Sequence, residues 1–232
     1  MKKKEFTEPI GQHTQLNPKI WDKDRLRSEV RGALLRIAQD FLEFVEVPVR
    51  VLDIVITGGN ANYTYTPHSD IDLHIIADLA NVDCDREAQE LFDTKRLLYK
   101  KNYDVSIHGI PVELYIEDSD TPAVSAGQYS VQHNRWQRQP QDLDPEDYNK
   151  KAVEHWVNIW HMILQHAMMT GDLHTCRNSL NLLKKYRRLG LRTADAEFSI
   201  PNLVYKSLRN DQTIEGMMRL INRLHQQELS LK

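Results

Sequence analysis

Five residues, Ser69-Asp70-Ile71-Asp72-Leu73, constrain this chain more than any others. They run on into His74-Ile75-Ile76-Ala77, an apolar, β-branched stretch that predicts a strand over residues 71–77. Side chains alternate faces along a strand, so Asp70 and Asp72 share one face while Ile71, Leu73 and Ile75 share the other. Two carboxylates held side by side repel each other, and holding them there costs stability unless a cation sits between them. Ligands that are all oxygen suit Mg²⁺ or Mn²⁺.

Two further segments bear on that pair. Upstream, Val51-Leu52-Asp53-Ile54-Val55-Ile56-Thr57 predicts a strand that ends in a sharp turn at Gly58-Gly59. Glycine there lets backbone approach a ligand closely, offering amide groups to an anion. Downstream, Tyr103–Ile107 and Val112–Ile116 flank His108-Gly109-Ile110-Pro111 and predict a hairpin. Glu113 lies between Val112 and Leu114 and faces away from both, so it reaches either solvent or a metal. If its strand lies beside that of Asp70 and Asp72, three carboxylates converge, enough for two ions about 3.5–4 Å apart. Glu117 shares the face of Glu113 and competes with it.

The surroundings predict an α/β (α+β) core with a mixed sheet flanked by helices, followed by an all-helical C-terminal region. Leu26, Val30, Leu34, Ile37, Phe41 and Phe44 form one stripe and predict a helix over about 22–45, broken by Pro48. A second helix is predicted over about 85–101. Residues 120–145 are rich in Gln, Pro, Asp and Ser, and beyond them the pattern is helical. One helix is marked by Val153–Leu164, a second by Leu173–Leu189 with Gly190 as C-cap, and a last by Pro201–Leu229. The expected division is an extended arm (1–21), a core (22–120), a linker or cleft segment (121–144) and a helical domain (145–232).

The order of these signals resembles the polymerase-beta nucleotidyltransferase superfamily: Gly58-Gly59, then Asp70-x-Asp72 between hydrophobics, then an acid flanked by hydrophobics at Glu113. The resemblance covers about 51–117. It implies transfer of an NMP group from an NTP to an acceptor hydroxyl, with release of pyrophosphate. It implies that Asp70, Asp72 and Glu113 hold two Mg²⁺ or Mn²⁺ ions and that Gly58 and Gly59 hold the β,γ-phosphates. Asn60 and Ser69 border that loop and join them as nucleotide-binding candidates. Many members carry an Arg soon after the glycine pair, where this chain reads Asn60-Ala61-Asn62-Tyr63, so phosphate contact must come from elsewhere. The segments Gly127–Ser130 with Trp136, and Glu197–Lys206 with Leu208-Arg209-Asn210, are similar to stretches in uncharacterised nucleotidyltransferases of tailed phages and bacteria.

Outside the motif, Tyr129 and Trp136 are candidates for stacking on a base, with packing as the competing role. Lys184 and Lys185, in Lys184-Lys185-Tyr186-Arg187-Arg188, are candidates for phosphate contact, as are Lys95, Lys100 and Lys101 more weakly. His74 shares the face of the two aspartates and reads as structural. The acceptor is expected to be an RNA 3′ end, a protein hydroxyl, a small molecule or a second nucleotide. A formal net charge of −3 gives no global basic field and mildly disfavours RNA. The alternatives are protein or small-molecule adenylylation, and a nucleotide-binding or interaction module that has lost turnover. Cys84 and Cys176 lack metal or disulfide spacing, the basic start at Met1–Lys4 precedes no apolar run, and no stretch approaches the roughly 20 apolar residues that cross a bilayer. The expected location is cytoplasmic, the host cytoplasm if a phage encodes the chain; oligomeric state is open.

Overall fold

The structure, a computed structural model, describes residues 6–11, 13–79, 85–120, 125–140, 148–193 and 195–230. Cys84 and Met1–Lys4 lie outside them. The chain divides into two compact units, Gly11–Leu143, and Met1–Ile10 with Asp144–Lys232.

The first unit opens with a small hairpin, β1 (Trp21–Asp22) and β2 (Arg25–Leu26). Helix α1 (Ser28–Val45) therefore starts later than the apolar stripe suggests. The cause is local: Lys23 adopts a positive φ of 57°, which turns the chain and lets Trp21 and Leu26 enter the core from β-structure. Val30, Leu34, Ala38, Phe41 and Val45 then bury one face of α1, each of the valine, leucine and phenylalanine side chains contributing on the order of 2 kcal/mol. Glu46, left-handed at φ 60°, ends the helix ahead of Pro48.

The sheet follows: β3 (Arg50–Thr57), β4 (Ile71–Asp78), α2 (Asp85–Asn102), β5 (Ser106–Ile107), β6 (Ile110–Asp118), β7 (Gln128–Ser130) and β8 (Arg135–Arg138). Its strand order is β5-β6-β4-β3-β7-β8, with β4 and β6 parallel and the other pairs antiparallel. The mixed character comes from α2, which carries the chain between the two parallel strands. The predicted hairpin is β5–β6, turning at His108 and Gly109, both at positive φ as a two-residue turn of this kind needs. Ile71, Leu73 and Ile75 of β4 pair with Val112, Leu114 and Ile116 of β6, and all six are buried. β7 and β8 lie in the segment that composition marks as a linker, and they complete the sheet. Asp53, buried on β3, fastens them by accepting from Ser130 Oγ at 2.7 Å and Gln137 Nε2 at 2.5 Å.

The second unit comprises α3 (Lys150–Thr170), α4 (Leu173–Gly190), α5 (Ile200–Asn210) and α6 (Thr213–Leu229). Asn149 and Asp172 cap α3 and α4 through their side chains. Gly190 is not the C-cap expected of it. It is the last residue of α4, and a Cβ there would lie 2.5 Å from Ser199 Oγ and 2.8 Å from Pro201, so close packing requires the glycine. The single helix expected over 201–229 is two, separated at Asp211-Gln212. Asp211 turns inward to His161 Nε2 at 2.5 Å and accepts from Thr213 N at 2.9 Å, while Gln212 takes φ 64°. Residues of the N-terminal arm join this unit, since Ser207 Oγ donates to Thr7 O and Asn210 Nδ2 to Glu8 O. Those from Gly11 onward join the first, where Gly11 N donates to Thr64 O. Among the described residues, no helix is long and apolar enough to cross a membrane.

Candidate active site

Asp72 and Glu113 are register partners across β4 and β6, as Thr57 and Asp72 are across β3 and β4. Strand alternation puts these side chains on the polar face, opposite the buried Leu73 and Leu114. Asp70, just before β4, completes the group. Each of Asp70, Asp72 and Glu113 offers a carboxylate oxygen within 4.8 Å of the other two, and all three are half-buried. Among the described residues this is the one such cluster of three metal-binding side chains. An oxygen-only donor set of this span fits Mg²⁺ or Mn²⁺.

Glu113 has two partners from the chain. The Tyr115 hydroxyl donates to Oε2 at 2.8 Å, and the Lys100 ammonium from α2 pairs with Oε1. Burial pushes the Glu113 carboxyl up, but the bonds from Lys100 and Tyr115 outweigh it and hold the group below the usual range. Burial, with the charges of Asp72 and Glu113, drives the Tyr115 phenol far above its ordinary value, so Tyr115 remains a donor. The Arg96 guanidinium lies over the Tyr115 ring, 4.7 Å from its centre.

Glu117, the competing acid, is engaged elsewhere. It lies 3.1 Å from His74 Nδ1, and His74 meets Thr57 Oγ1 through Nε2 at 3.0 Å while stacking on Tyr115. His74 is thus a strut between β3, β4 and β6.

The glycine turn is built around Asp72. Gly58 has φ 76° and ψ −163°, a region essentially reserved for glycine, and a Cβ there would lie 2.0 Å from Asp72 Oδ2. Its amide donates to Ser125 Oγ at 3.1 Å, and Ser125 Oγ donates in turn to Gly127 O at 3.0 Å. Gly59 begins a short 3-10 turn, Gly59–Ala61, where a Cβ would lie 3.3 Å from Ser69 Oγ. Ser69 Oγ accepts from Thr66 N at 2.9 Å and closes the loop leading to Asp70.

Asn60 is buried, and its bonds position the loop. Its Nδ2 donates to Asp70 O at 2.7 Å, its Oδ1 accepts from Asn17 Nδ2 at 2.9 Å, and its carbonyl accepts from Trp21 Nε1 at 2.7 Å. Asn60 therefore contributes backbone placement of Asp70, and its side-chain groups face protein.

Tyr129 and Trp136 are taken up by packing and hydrogen bonds within the protein. Tyr129 is fully buried, edge-on to Trp21 and Trp136, and its hydroxyl donates to Asn134 Oδ1 at 2.9 Å. It presents no exposed face on which a base can stack. Trp136 stacks on Trp21, and its Nε1 donates to Asp24 O at 2.8 Å, so its indole pins β1–β2 to the sheet. Lys184 and Lys185 are exposed on α4, in the other unit. Lys95 bonds Phe44 O and Glu46.

Sequence reasoning missed Tyr115, Ser125, Asn17 and Trp21, and met Gly127 only in a segment resemblance. Strand alternation, which sets Tyr115 on the face of Glu113, was a signal available for it; at Gly127 the structure shows the need for glycine, since a Cβ would lie 2.0 Å from Ala61 O.

Residues 36–126 match the model of a family described as nucleotidyltransferase domain. No curated protein matches the chain. A solved structure described as a STING-associated CdnE c-di-GMP synthase from Capnocytophaga granulosa aligns over 88% of this chain and 83% of that one. The pair is 10% identical with a TM-score of 0.21, and at that level the likeness carries no argument.

Proposed function

We propose that residues 36–126, which match a nucleotidyltransferase domain model, form a polymerase-beta-type nucleotidyltransferase domain, and that the protein transfers an NMP group from an NTP to an acceptor hydroxyl in a divalent-metal-dependent reaction. The observation that carries this reading is the convergence of Asp70, Asp72 and Glu113 beside the Gly58 turn.

In this reading Asp70, Asp72 and Glu113 hold the metal ions. Two bound divalent ions supply positive charge to the attacking hydroxyl and to the leaving pyrophosphate. The chain does the rest by placement. The parallel β4–β6 ladder sets Asp72 and Glu113 side by side, Asn60 fixes the backbone of Asp70, and Tyr115 aims the Glu113 carboxylate. The triphosphate lies along the Gly58-Gly59 turn, where a missing Cβ leaves Asp72 and the backbone accessible together. Because the Gly58 amide is already given to Ser125, the Gly59 amide and the Ser69 hydroxyl meet the phosphates in its place. The acceptor oxygen forms its bond to the α-phosphorus from the Glu113 side. The bond from that phosphorus to the bridging oxygen breaks, and the hydroxyl proton passes to solvent.

Equilibrium binding tests the site without turnover. A fluorescent NTP analogue should bind the wild type in the presence of Mn²⁺ and lose at least about tenfold in affinity with chelator or in Asp72→Asn. Metal-independent binding, unchanged in Asp72→Asn, would contradict the proposed metal role.

A further inference from the structure

The carboxylate that would bind a metal from β6 is already paired with a cation of the chain itself. Lys100 projects from the last turn of α2 and its ammonium pairs with Glu113 Oε1. The rest of that carboxylate is spoken for as well, Tyr115 donating to Oε2. An ammonium on Oε1 competes with a divalent ion for that carboxylate, because it takes one of the oxygen's lone pairs and the two cations repel each other.

Lys100 is built to let go. Its side chain is 62% exposed, against 22% for that of Glu113, so the lysine end swings into solvent while the carboxylate stays in place. A solvent-facing pair of this kind is weak, because water and salt screen it. It also has a place to go. Lys100, Arg96, Tyr103, Asp104 and Pro111 line a groove that reaches Glu113 along the α2–β6 edge.

Resting on the metal reading above, we propose that Lys100 is a resident counter-cation of the carboxylate cluster, exchanged for the divalent ion on Glu113 and released into the α2–β6 groove when the metal binds. Its role is positional. In the metal-free protein Lys100 holds the Glu113 carboxylate in its place beside Asp72, and it makes the site discriminate by charge. Lys100 brings a single charge to this carboxylate cluster, so a divalent ion displaces it where a monovalent ion does not.

The test is Mn²⁺ binding by calorimetry, without nucleotide, to the full chain and to three variants. Lys100→Met removes the competitor and should bind Mn²⁺ about three- to tenfold more tightly than wild type. Lys100→Arg, which keeps the charge, should bind like wild type, and so should Lys101→Met on the neighbouring exposed residue. Thermal melts establish that each variant is folded. If wild type binds Mn²⁺ through Asp70 and Asp72 and Lys100→Met binds it equally or more weakly, the exchange is refuted while the metal site stands. If neither wild type nor Lys100→Met binds Mn²⁺, the metal reading fails and takes the exchange with it.

Discussion

Asp72 on β4 and Glu113 on β6 are direct partners in a parallel ladder, side by side on the polar face of the sheet. Neighbouring strands lie about 4.8 Å apart, so two carboxylates in register reach a common ion with no bend in either strand. Helix α2 makes the strands parallel, and the same helix returns Lys100 to Glu113.

Removing that convergence should separate stability from function. Asp72→Asn relieves repulsion in the cluster, so its melting temperature should equal or exceed that of wild type in metal-free buffer. Its Mn²⁺ affinity should fall at the same time. Parallel melts and calorimetry check both halves.

Gly58 tolerates no side chain. Gly58→Ala forces alanine to φ 76° and sets a methyl group against Asp72 Oδ2. The expected loss is about 1–3 kcal/mol of stability, measured by urea unfolding, together with weaker Mn²⁺ binding as Asp72 is pushed aside.

Asn60→Ala removes the acceptor of Asn17 Nδ2 and the donor to the Asp70 carbonyl. A cost of about 1–3 kcal/mol is expected in urea unfolding. Asn60→Asp keeps an acceptor for Asn17 but buries a charged oxygen against the Asp70 carbonyl where a donor stood, so it should lose at least as much stability as alanine.

The helical unit carries a pH dependence of its own. Burial pushes the Asp211 carboxyl up, but hydrogen bonds from His161 and Thr213 prevail and hold it below its ordinary value. A lowered carboxylate contributes its stability in full above the unfolded value and loses it as pH falls through the folded one. Wild type should therefore lose melting temperature in the acid range below about pH 4, and Asp211→Asn should start lower at neutral pH and show a shallower acid decline.

What was legible in the sequence follows its local periodicities. Strand alternation alone places Asp70 and Asp72 on one face, and two apolar neighbours around Glu113 turn it outward. The stripe of α1 and the β5–β6 turn are equally local. What was hidden depends on partners far away in the chain. Tyr115 is the exception: it lies two residues from Glu113 on the same strand, where alternation alone sets the two on one face. Asn60 read as a departure from a phosphate-binding pattern, whereas its side chain is used by Asn17 and Asp70. The continuous apolar pattern over 201–229 concealed the break at Asp211, which a buried histidine on α3 draws inward. Tyr129 and Trp136 are aromatic for the sake of Trp21.

The central claim is that this site transfers nucleotides. Its most direct measurement is label transfer from each of four α-³²P-labelled NTPs, with Mg²⁺ or Mn²⁺, into a bacterial cell lysate, for wild type beside the Asp70→Asn, Asp72→Asn double variant. The account predicts label in an RNA, protein or small-molecule fraction with wild type and at least about a hundredfold less with the variant. Equal label with both proteins, or none from any NTP while metal-dependent NTP binding persists, would contradict it.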